Sequence, residues 1–130
     1  MASIVLDAGV VIGLYNDRDA HHKWAINFMI QTTAEKLHIS AVNYAEIIVT
    51  PLRLNKEVAF LRGIDGLGLE VDSVNSDDVM QLSNLRIETG LRMTDICPIQ
   101  LAIKHNCPLA TTDKAVAKAA KALGIEVFQP

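Results

Sequence analysis

Four acidic residues stand at positions where a carboxylate could take part in chemistry. Asp7 and Asp113 each follow a short apolar segment, and Asp95 stands at the start of a predicted helix. Glu46 is the only acid in the mostly apolar segment 41–49. Taken singly, the aspartates are also typical of turns and helix starts, whereas a carboxylate within an apolar helix is rarely buried without a partner. The indication of a functional site is therefore the placement of all four acids together.

Such a set of carboxylates predicts a site for a hard divalent cation. Carboxylates held close together repel one another, and burial increases this cost because it disfavours the charged form. Mg²⁺ or Mn²⁺ relieves the repulsion, since both ions prefer oxygen ligands. A cation held in this way can activate a water molecule and stabilise a leaving oxygen, which fits hydrolysis of a phosphodiester bond.

Short apolar segments alternate with helical patterns along the chain, and this order predicts how the acids meet. The predicted strands lie at about 4–6, 37–39, 69–71, 108–110 and 125–128. Strands separated by helices favour a parallel sheet with helices on both faces, and such sheets bind ligands at the carboxyl ends of their strands. We therefore expect a three-layer α/β/α sandwich with a central, mostly parallel sheet and the four acids at one edge.

The helices of this arrangement have recognisable ends. They are predicted at about 20–32, 40–50, 55–67, 76–89, 94–105 and 113–123, with a further turn or two at 10–15. Ser40, Thr94 and Thr112 are the predicted N-caps of three of them. Pro51 is expected to end the helix that carries Glu46, and Gly90 suits the position just after a helix.

Length and composition indicate one domain spanning residues 1–130. Half of the residues are hydrophobic, with four prolines and seven glycines, which excludes a disordered or collagen-like chain. The chain shows no transmembrane run, no cationic signal-peptide head and no zinc spacing of its two cysteines, so we expect a soluble cytoplasmic protein. The net charge of −3, from 12 basic and 15 acidic residues, disfavours a basic DNA-binding module but permits a nucleic-acid substrate met through a metal ion.

The four acids and their surroundings resemble the PIN-domain nucleases. The resemblance covers nearly the whole chain and rests on the segments IVLD at 4–7, SAVNYAE at 40–46, TD at 94–95 and LATTD at 109–113. The short form is most similar to the VapC-type ribonuclease toxins of toxin–antitoxin pairs. The resemblance implies a PIN-like fold, Mg²⁺- or Mn²⁺-dependent cleavage of RNA, a homodimer and an antitoxin partner. It also implies that Asp7, Glu46, Asp95 and Asp113 are catalytic residues and metal ligands.

One position departs from the pattern of that family. Its members usually carry Ser, Thr or Asn two residues after the first aspartate, where this chain has Gly9. Thr94 and Thr112 remain as polar neighbours of the acids, and we expect them to support the metal ligands. Supporting groups commonly change metal affinity by roughly 10–100-fold, so Gly9 bears on metal affinity more than on the fold.

Several basic residues near the acids are candidates for contacts with RNA phosphates. Lys114 and Lys118 lie on one face of the last predicted helix, and Arg18 and Arg92 lie on loops or at helix ends. A solvated surface is the alternative role for all four. His38, in a strand, and His105, at a helix end, are expected to be structural or exposed, as are the adjacent histidines at 21–22.

Other functions fit the residues less well. A haloacid-dehalogenase-type phosphatase also begins with an aspartate after its first strand, but it needs a second one where Gly9 stands. A receiver domain needs its phosphorylated aspartate after a middle strand, an acidic pair near the first strand and a late lysine. The alternative that stays open is a catalytically degenerate PIN-like scaffold acting as a dimerising or regulatory module, and Gly9 favours it.

Overall fold

Five parallel strands form the centre of the molecule in the computed structural model, which describes residues 2–130. The strands are β1 Ser3–Leu6, β2 Lys36–Ser40, β3 Glu70–Asp72, β4 Leu109–Ala110 and β5 Val127–Phe128. Their order across the sheet is β3-β2-β1-β4-β5, so β1 lies at the centre. The register pairs Leu6 with Ala110, which brings the carboxyl ends of β1 and β4 level with each other.

Helices cover both faces of this sheet. They are α1 Ala8–Tyr15, α2 His22–Gln31, α3 Ala41–Arg53, α4 Glu57–Asp65, α5 Val79–Thr89, α6 Met93–His105 and α7 Lys114–Ala122, with a short 3₁₀ turn, Ser76–Asp78, before α5. The predicted three-layer α/β/α sandwich is confirmed, and every pairing in the sheet is parallel. Within residues 2–130, none of the helices has both the length and the apolar character needed to cross a membrane.

The central strand is buried on both sides, which explains its unbroken apolar sequence. Ile4 and Leu6 belong to one hydrophobic cluster, shared with α1 to α4. Val5 points to the opposite face and belongs to a second cluster, shared with α5, α6 and α7. Each fully buried aliphatic side chain of this kind contributes about 1.5–3 kcal/mol relative to an exposed one. The strand that precedes Asp7 is therefore a rigid base for that residue.

Two predicted helix limits are wrong. Helix α3 continues through Pro51 to Arg53, because a proline in the last turn removes only one helical hydrogen bond. The next turn keeps its bonding, with the N–H of Leu54 donating to the carbonyl of Thr50 at 3.1 Å. The α-helix expected from Ser76 begins at Val79 instead, because the first three residues form the tighter 3₁₀ turn.

The predicted caps differ in detail as well. Arg92, not Thr94, is the N-cap of α6, since its carbonyl accepts the N–H groups of Asp95 and Ile96. Asp113, not Thr112, is the N-cap of α7. Ser40 is the N-cap of α3 as predicted, although its hydroxyl makes no capping hydrogen bond. These shifts of one or two residues leave every acid at the predicted edge of the sheet.

Candidate active site

Asp7 lies at the carboxyl end of the central strand and begins α1. Its N–H donates to the carbonyl of Ala110 at 2.9 Å, so pairing with β4 holds its main chain. Its Oδ1 accepts the N–H of Ala8 at 2.8 Å, and its Oδ2 accepts the hydroxyl of Thr111 at 2.7 Å. The carboxylate is thus buried and fixed in orientation by the protein itself.

Burial raises the pKa of the Asp7 carboxyl from its ordinary value of 3.8 to about 6. The hydrogen bonds from Thr111 and Ala8 act in the opposite direction, while the negative charges of Glu46 and Asp113 raise the pKa further. The charged form of Asp7 is therefore costly at neutral pH. A cation beside it would reduce that cost by favouring the ionised carboxylate.

Glu46 follows a fully buried asparagine by one helical turn on α3. Asn43 Nδ2 donates to Glu46 Oε1 at 2.8 Å and to the carbonyl of Thr94 at 3.0 Å, so one amide ties α3 to the start of α6. Its Oδ1 is buried and has no hydrogen-bond partner among residues 2–130. Asn43 is not among the site residues predicted from the sequence, although its i, i+3 spacing to Glu46 places both on one helix face.

Asp95 lies in the first turn of α6 and is paired with an arginine. Arg92 Nε donates to Asp95 Oδ2 at 3.2 Å. This bond raises the pKa of the Arg92 guanidinium, and the charges of Asp95, Glu46 and Asp113 add to the effect. Arg92 therefore lies within electrostatic reach of Asp95, Glu46 and Asp113. Its side chain is 81% exposed, so it is free to turn toward another anion.

Asp113 follows β4 and caps α7. Its Oδ1 accepts the N–H groups of Ala115 at 2.8 Å and Val116 at 3.1 Å. Its own N–H donates to Thr111 Oγ1 at 3.1 Å, and the same hydroxyl donates to Asp7. Thr111 therefore joins two of the acids, a role that sequence analysis did not assign to it. The available signal was its place between β4 and Asp113.

Thr112 is matched to Gly9 across the same edge of the sheet. A Cβ atom built on Gly9 would lie 2.5 Å from Thr112 Oγ1, which is too close for a real side chain. Gly9 thus leaves room for a hydroxyl supplied by the loop that leads into α7. The hydroxyl of Thr112 therefore lies in the space that a side chain at position 9 would occupy.

The four carboxylates share one edge without forming a closed cage. In the described chain, no three of them bring ligand oxygens within 4.8 Å of one another. A cation at this edge would take one or two carboxylates and complete its coordination with water, as Mg²⁺ usually does. The all-oxygen donor set and the costly buried charge of Asp7 both fit a hard divalent cation.

The predicted RNA-contacting residues occupy different positions relative to these acids. Arg92 contacts Asp95 directly. Lys114 is the first residue of α7, and Lys118 lies one turn further along; both are exposed. Arg18 is exposed in the loop after α1. It follows the C-terminal end of that helix, whereas Asp7 precedes the N-terminal end.

A groove of about 360 Å³ opens beside Glu46, between α1, α3 and α4. Its walls include Ile12, Tyr15, Leu54 and Phe60, and the rings of Tyr15 and Phe60 meet edge to face with centroids 5.3 Å apart. This groove is a largely apolar surface that reaches one of the four acids.

Comparisons with known proteins agree with this geometry. The sequence profile of the PIN domain matches residues 4–122, a span that includes all four acids. Comparison with curated proteins gave no significant match.

Three solved structures illustrate the shared fold. VapBC2 from Rickettsia felis, bound to a DNA fragment of its promoter, superposes with a TM-score of 0.75 at 16% identity, over 98% of each chain. DNA-bound VapBC from Salmonella typhimurium gives 0.69 at 18% identity, over 99% of this chain and 98% of that one. VapBC-1 from nontypeable Haemophilus influenzae gives 0.71 at 16% identity, over 98% and 97%.

Proposed function

The chain belongs to the PIN-domain family, and from that premise we propose that it is a Mg²⁺- or Mn²⁺-dependent endoribonuclease that hydrolyses RNA phosphodiester bonds. The observation that carries the proposal is the buried carboxylate of Asp7, whose pKa is raised to about 6 at an edge shared with Glu46 and Asp113. Burial accounts for most of this rise and the negative charges of Glu46 and Asp113 for less of it, and a cation at this edge would offset both.

Asp7, Glu46, Asp95 and Asp113 are the residues that would hold the cation. A divalent ion supplies an activated water and stabilises the charge that develops on the leaving oxygen. Asn43 holds Glu46 and the start of α6 in a fixed relation. Thr111 does the same for Asp7 and Asp113. These two residues keep the carboxylates in place while a substrate binds.

Basic residues beside the acids would position the RNA backbone. Arg92 can exchange its ion pair with Asp95 for a substrate phosphate, because an exposed pair of this kind is worth little in water. Lys114 and Lys118 extend the positive charge along α7 from Asp113. The two lysines contribute attraction without base recognition, and Arg18 would contact only an extended substrate.

The partner proposed for this nuclease is a cognate antitoxin. Solved neighbours of the fold are VapBC complexes, two of them bound to DNA. The groove beside Glu46 offers an apolar wall to a helical or extended segment, and a segment seated there would cover the approach to the carboxylates. Inhibition of the nuclease by its partner would follow from this blockage alone.

A homodimer is also proposed. Helix α5 buries Leu82 and Leu85 but exposes Met80 and Ile87, which are 70% and 83% accessible. Residues seven apart lie on one face of a helix. Burying that face against a second copy of the chain would remove two large apolar side chains from water.

Cleavage of RNA by the purified protein tests the proposed activity. We expect Mn²⁺ to support cleavage and EDTA to stop it, and Glu46→Gln to be inactive. Glu88→Gln, a matched change at an exposed acid on α5, should retain the wild-type rate. Cleavage that persists in EDTA would overturn the metal mechanism.

The same cleavage assay, together with melting curves of the protein with and without Mn²⁺, decides the second candidate function, a degenerate scaffold. Gly9 favours that candidate because it removes the side chain that family members usually carry there. If Mn²⁺ leaves both RNA and the melting temperature of the protein unchanged, the scaffold function is the better account.

A further inference from the structure

Three potential metal ligands from three different elements lie close together at the C-terminal end of α6. They are His38 in β2, Asp72 at the end of β3 and His105 at the end of α6. One ligand atom of each lies within 4.8 Å of the other two, and residues 2–130 contain no other such group of histidine, cysteine and acidic side chains. The sequence alone does not connect the two histidines, because 67 positions separate them in the chain.

One carboxylate oxygen faces both imidazole rings. Asp72 Oδ2 lies 2.8 Å from His38 Nδ1 and 3.6 Å from His105 Nε2. The two rings lie side by side, with centroids 4.2 Å apart and planes tilted by 30°. The three groups therefore surround one small volume, in which Asp72 supplies an oxygen and each histidine a nitrogen.

The nitrogen of His105 is unexplained by hydrogen bonding. Its Nε2 is buried and has no hydrogen-bond partner anywhere in residues 2–130, and 3.6 Å to Asp72 is too long for such a bond. Buried polar atoms are normally satisfied, so an exception calls for a physical reason. A hydrogen bond between His38 and Asp72 alone accounts for those two residues but not for the placement of His105.

This cluster is separate from the carboxylate edge. Asp95 and His105 lie in the first and last turns of the same helix, ten positions apart. At 1.5 Å per residue, that separation is about 15 Å along the helix axis. An ion held by the histidines would therefore not be an ion of the candidate active site.

We propose that His38, Asp72 and His105 form a second metal site, which binds Zn²⁺ or a similar borderline transition metal. Two imidazoles and one carboxylate are a usual ligand set for such ions and a poor one for Mg²⁺. Tetrahedral Zn²⁺ with bonds of about 2.0–2.1 Å places its ligand atoms roughly 3.3 Å apart. The observed 2.8 and 3.6 Å lie on either side of that spacing. The ring planes are only 30° apart, so the imidazoles would have to turn until both nitrogens point at the ion.

The proton on the His38 ring can be accommodated without charging that ring. His38 Nε2 lies 3.3 Å from the hydroxyl of Ser3, which can donate or accept. When a metal binds Nδ1, the proton on that atom leaves to solvent and Nε2 takes one up, so that the neutral ring donates to Ser3. A metal-bound histidine usually donates its other N–H in this way.

The position of the cluster determines how exposed it is to solvent and what a bound ion would do for the fold. The side chains of Asp72 and His105 are 23% and 29% exposed, so solvent reaches the rim of the cluster, although His105 Nε2 itself is buried. The strand β3 has only three residues and lies at the edge of the sheet. A metal here would link that edge strand to β2 and to the end of α6, and so stabilise the fold.

Nuclear magnetic resonance of the histidine ring nitrogens tests the site in the intact protein. The chain has four histidines, so the two outside the cluster, His21 and His22, are internal controls. We expect one equivalent of Zn²⁺, added in excess Mg²⁺, to shift the ring nitrogens of His38 and His105 and to place the His38 proton on Nε2. Shifts confined to His21 and His22, or no shift at any ring, would overturn the proposal.

Variants extend the test to affinity. Asp72→Asn and His105→Gln each remove one ligand at a partly exposed position, and we expect each to weaken Zn²⁺ binding at least about tenfold in calorimetry. His21→Gln is the matched control and should leave the affinity unchanged. Equal Zn²⁺ affinity in all four proteins would place the ion elsewhere, such as at the carboxylate edge, and would contradict this site.

Discussion

Asp7 combines the features that make a carboxylate chemically useful and costly. It is buried at the end of the central strand, and both of its oxygens accept hydrogen bonds from the protein. A rise in pKa from 3.8 to about 6 corresponds to about 3 kcal/mol between the two protonation states. Because the folded protein binds this proton more tightly than the unfolded chain, the cost is present at neutral pH and disappears in acid.

The sign of this effect gives a stability prediction for the metal-free protein. Well below the ordinary pKa of 3.8, Asp7 is protonated in both states and costs nothing. As the pH rises through 4 to 6, the unfolded chain loses this proton first, so the unfolding free energy falls. Asp7→Asn should remove this dependence and raise the unfolding free energy at pH 7.5 by up to about 3 kcal/mol. Urea unfolding in EDTA at pH 5 and pH 7.5 measures both effects.

The matched control is Asp17→Asn, a change at an exposed loop acid. It should leave the difference between pH 5 and pH 7.5 as large as in the wild type. If Asp7→Asn instead lowers the unfolding free energy at pH 7.5, the buried charge of Asp7 is not a cost to the fold.

For single residues, the sequence is a better guide to the acids of the candidate site than to the neighbouring side chains that hold those acids in place. Asp7 and Asp113 follow from their places after strands, but Thr111 rather than Thr112 joins them. The choice between two adjacent threonines depends on which side chain the register of β4 turns toward Asp7. That orientation is a tertiary property, and the sequence pattern carries no sign of it.

At the scale of elements, helix starts serve both stability and the site. Asp113 caps α7 with hydrogen bonds to two N–H groups, and its charge favours the helix dipole. The sequence predicts that a helix begins here but assigns the cap to Thr112. Both residue types are favoured N-caps, with Asp ranking somewhat above Thr, and the backbone conformation decides between these two neighbours.

Substitutions at Asp113 can separate capping from catalysis. Asn caps a helix about as well as Asp, so Asp113→Asn should unfold near the wild-type midpoint while losing RNA cleavage. Asp113→Ala should lose cleavage and also about 1 kcal/mol of stability, since the two N–H groups lose their acceptor. Urea unfolding and an RNA cleavage assay distinguish the three proteins. Full activity in Asp113→Asn would show that Asp113 is only a cap.

At the scale of the whole molecule, the parallel sheet explains why distant residues converge. The alternation of strands and helices predicts the carboxylate edge. The same alternation does not predict the His38–Asp72–His105 cluster, because that cluster depends on the register between β2 and β3 and on the residue at which α6 ends. Periodicity in one sequence gives the layers of the fold, while contacts between layers depend on packing.

The exposed face of α5 gives a prediction about assembly. Light scattering at micromolar concentration should give about twice the chain mass of 14.2 kDa, because Met80 and Ile87 would be buried between two copies. Ile87→Lys should shift the protein toward the monomer by placing a charge in that interface. Ile30→Lys, at an exposed apolar residue on α2, is the control and should remain dimeric. A wild-type monomer would contradict the proposed homodimer.

The four carboxylates at the sheet edge are proposed to form one metal-dependent nuclease site. The most direct test is the rate of RNA cleavage in Mn²⁺ by Asp95→Asn, since this change removes one charge and nearly preserves shape. Asp95 lies in the first turn of α6, where it could equally favour the helix dipole alone. We predict that the rate falls at least about 100-fold, the scale of losing one electrostatic group from a catalytic site. An Asp95→Asn protein that cuts RNA at the wild-type rate would contradict the account.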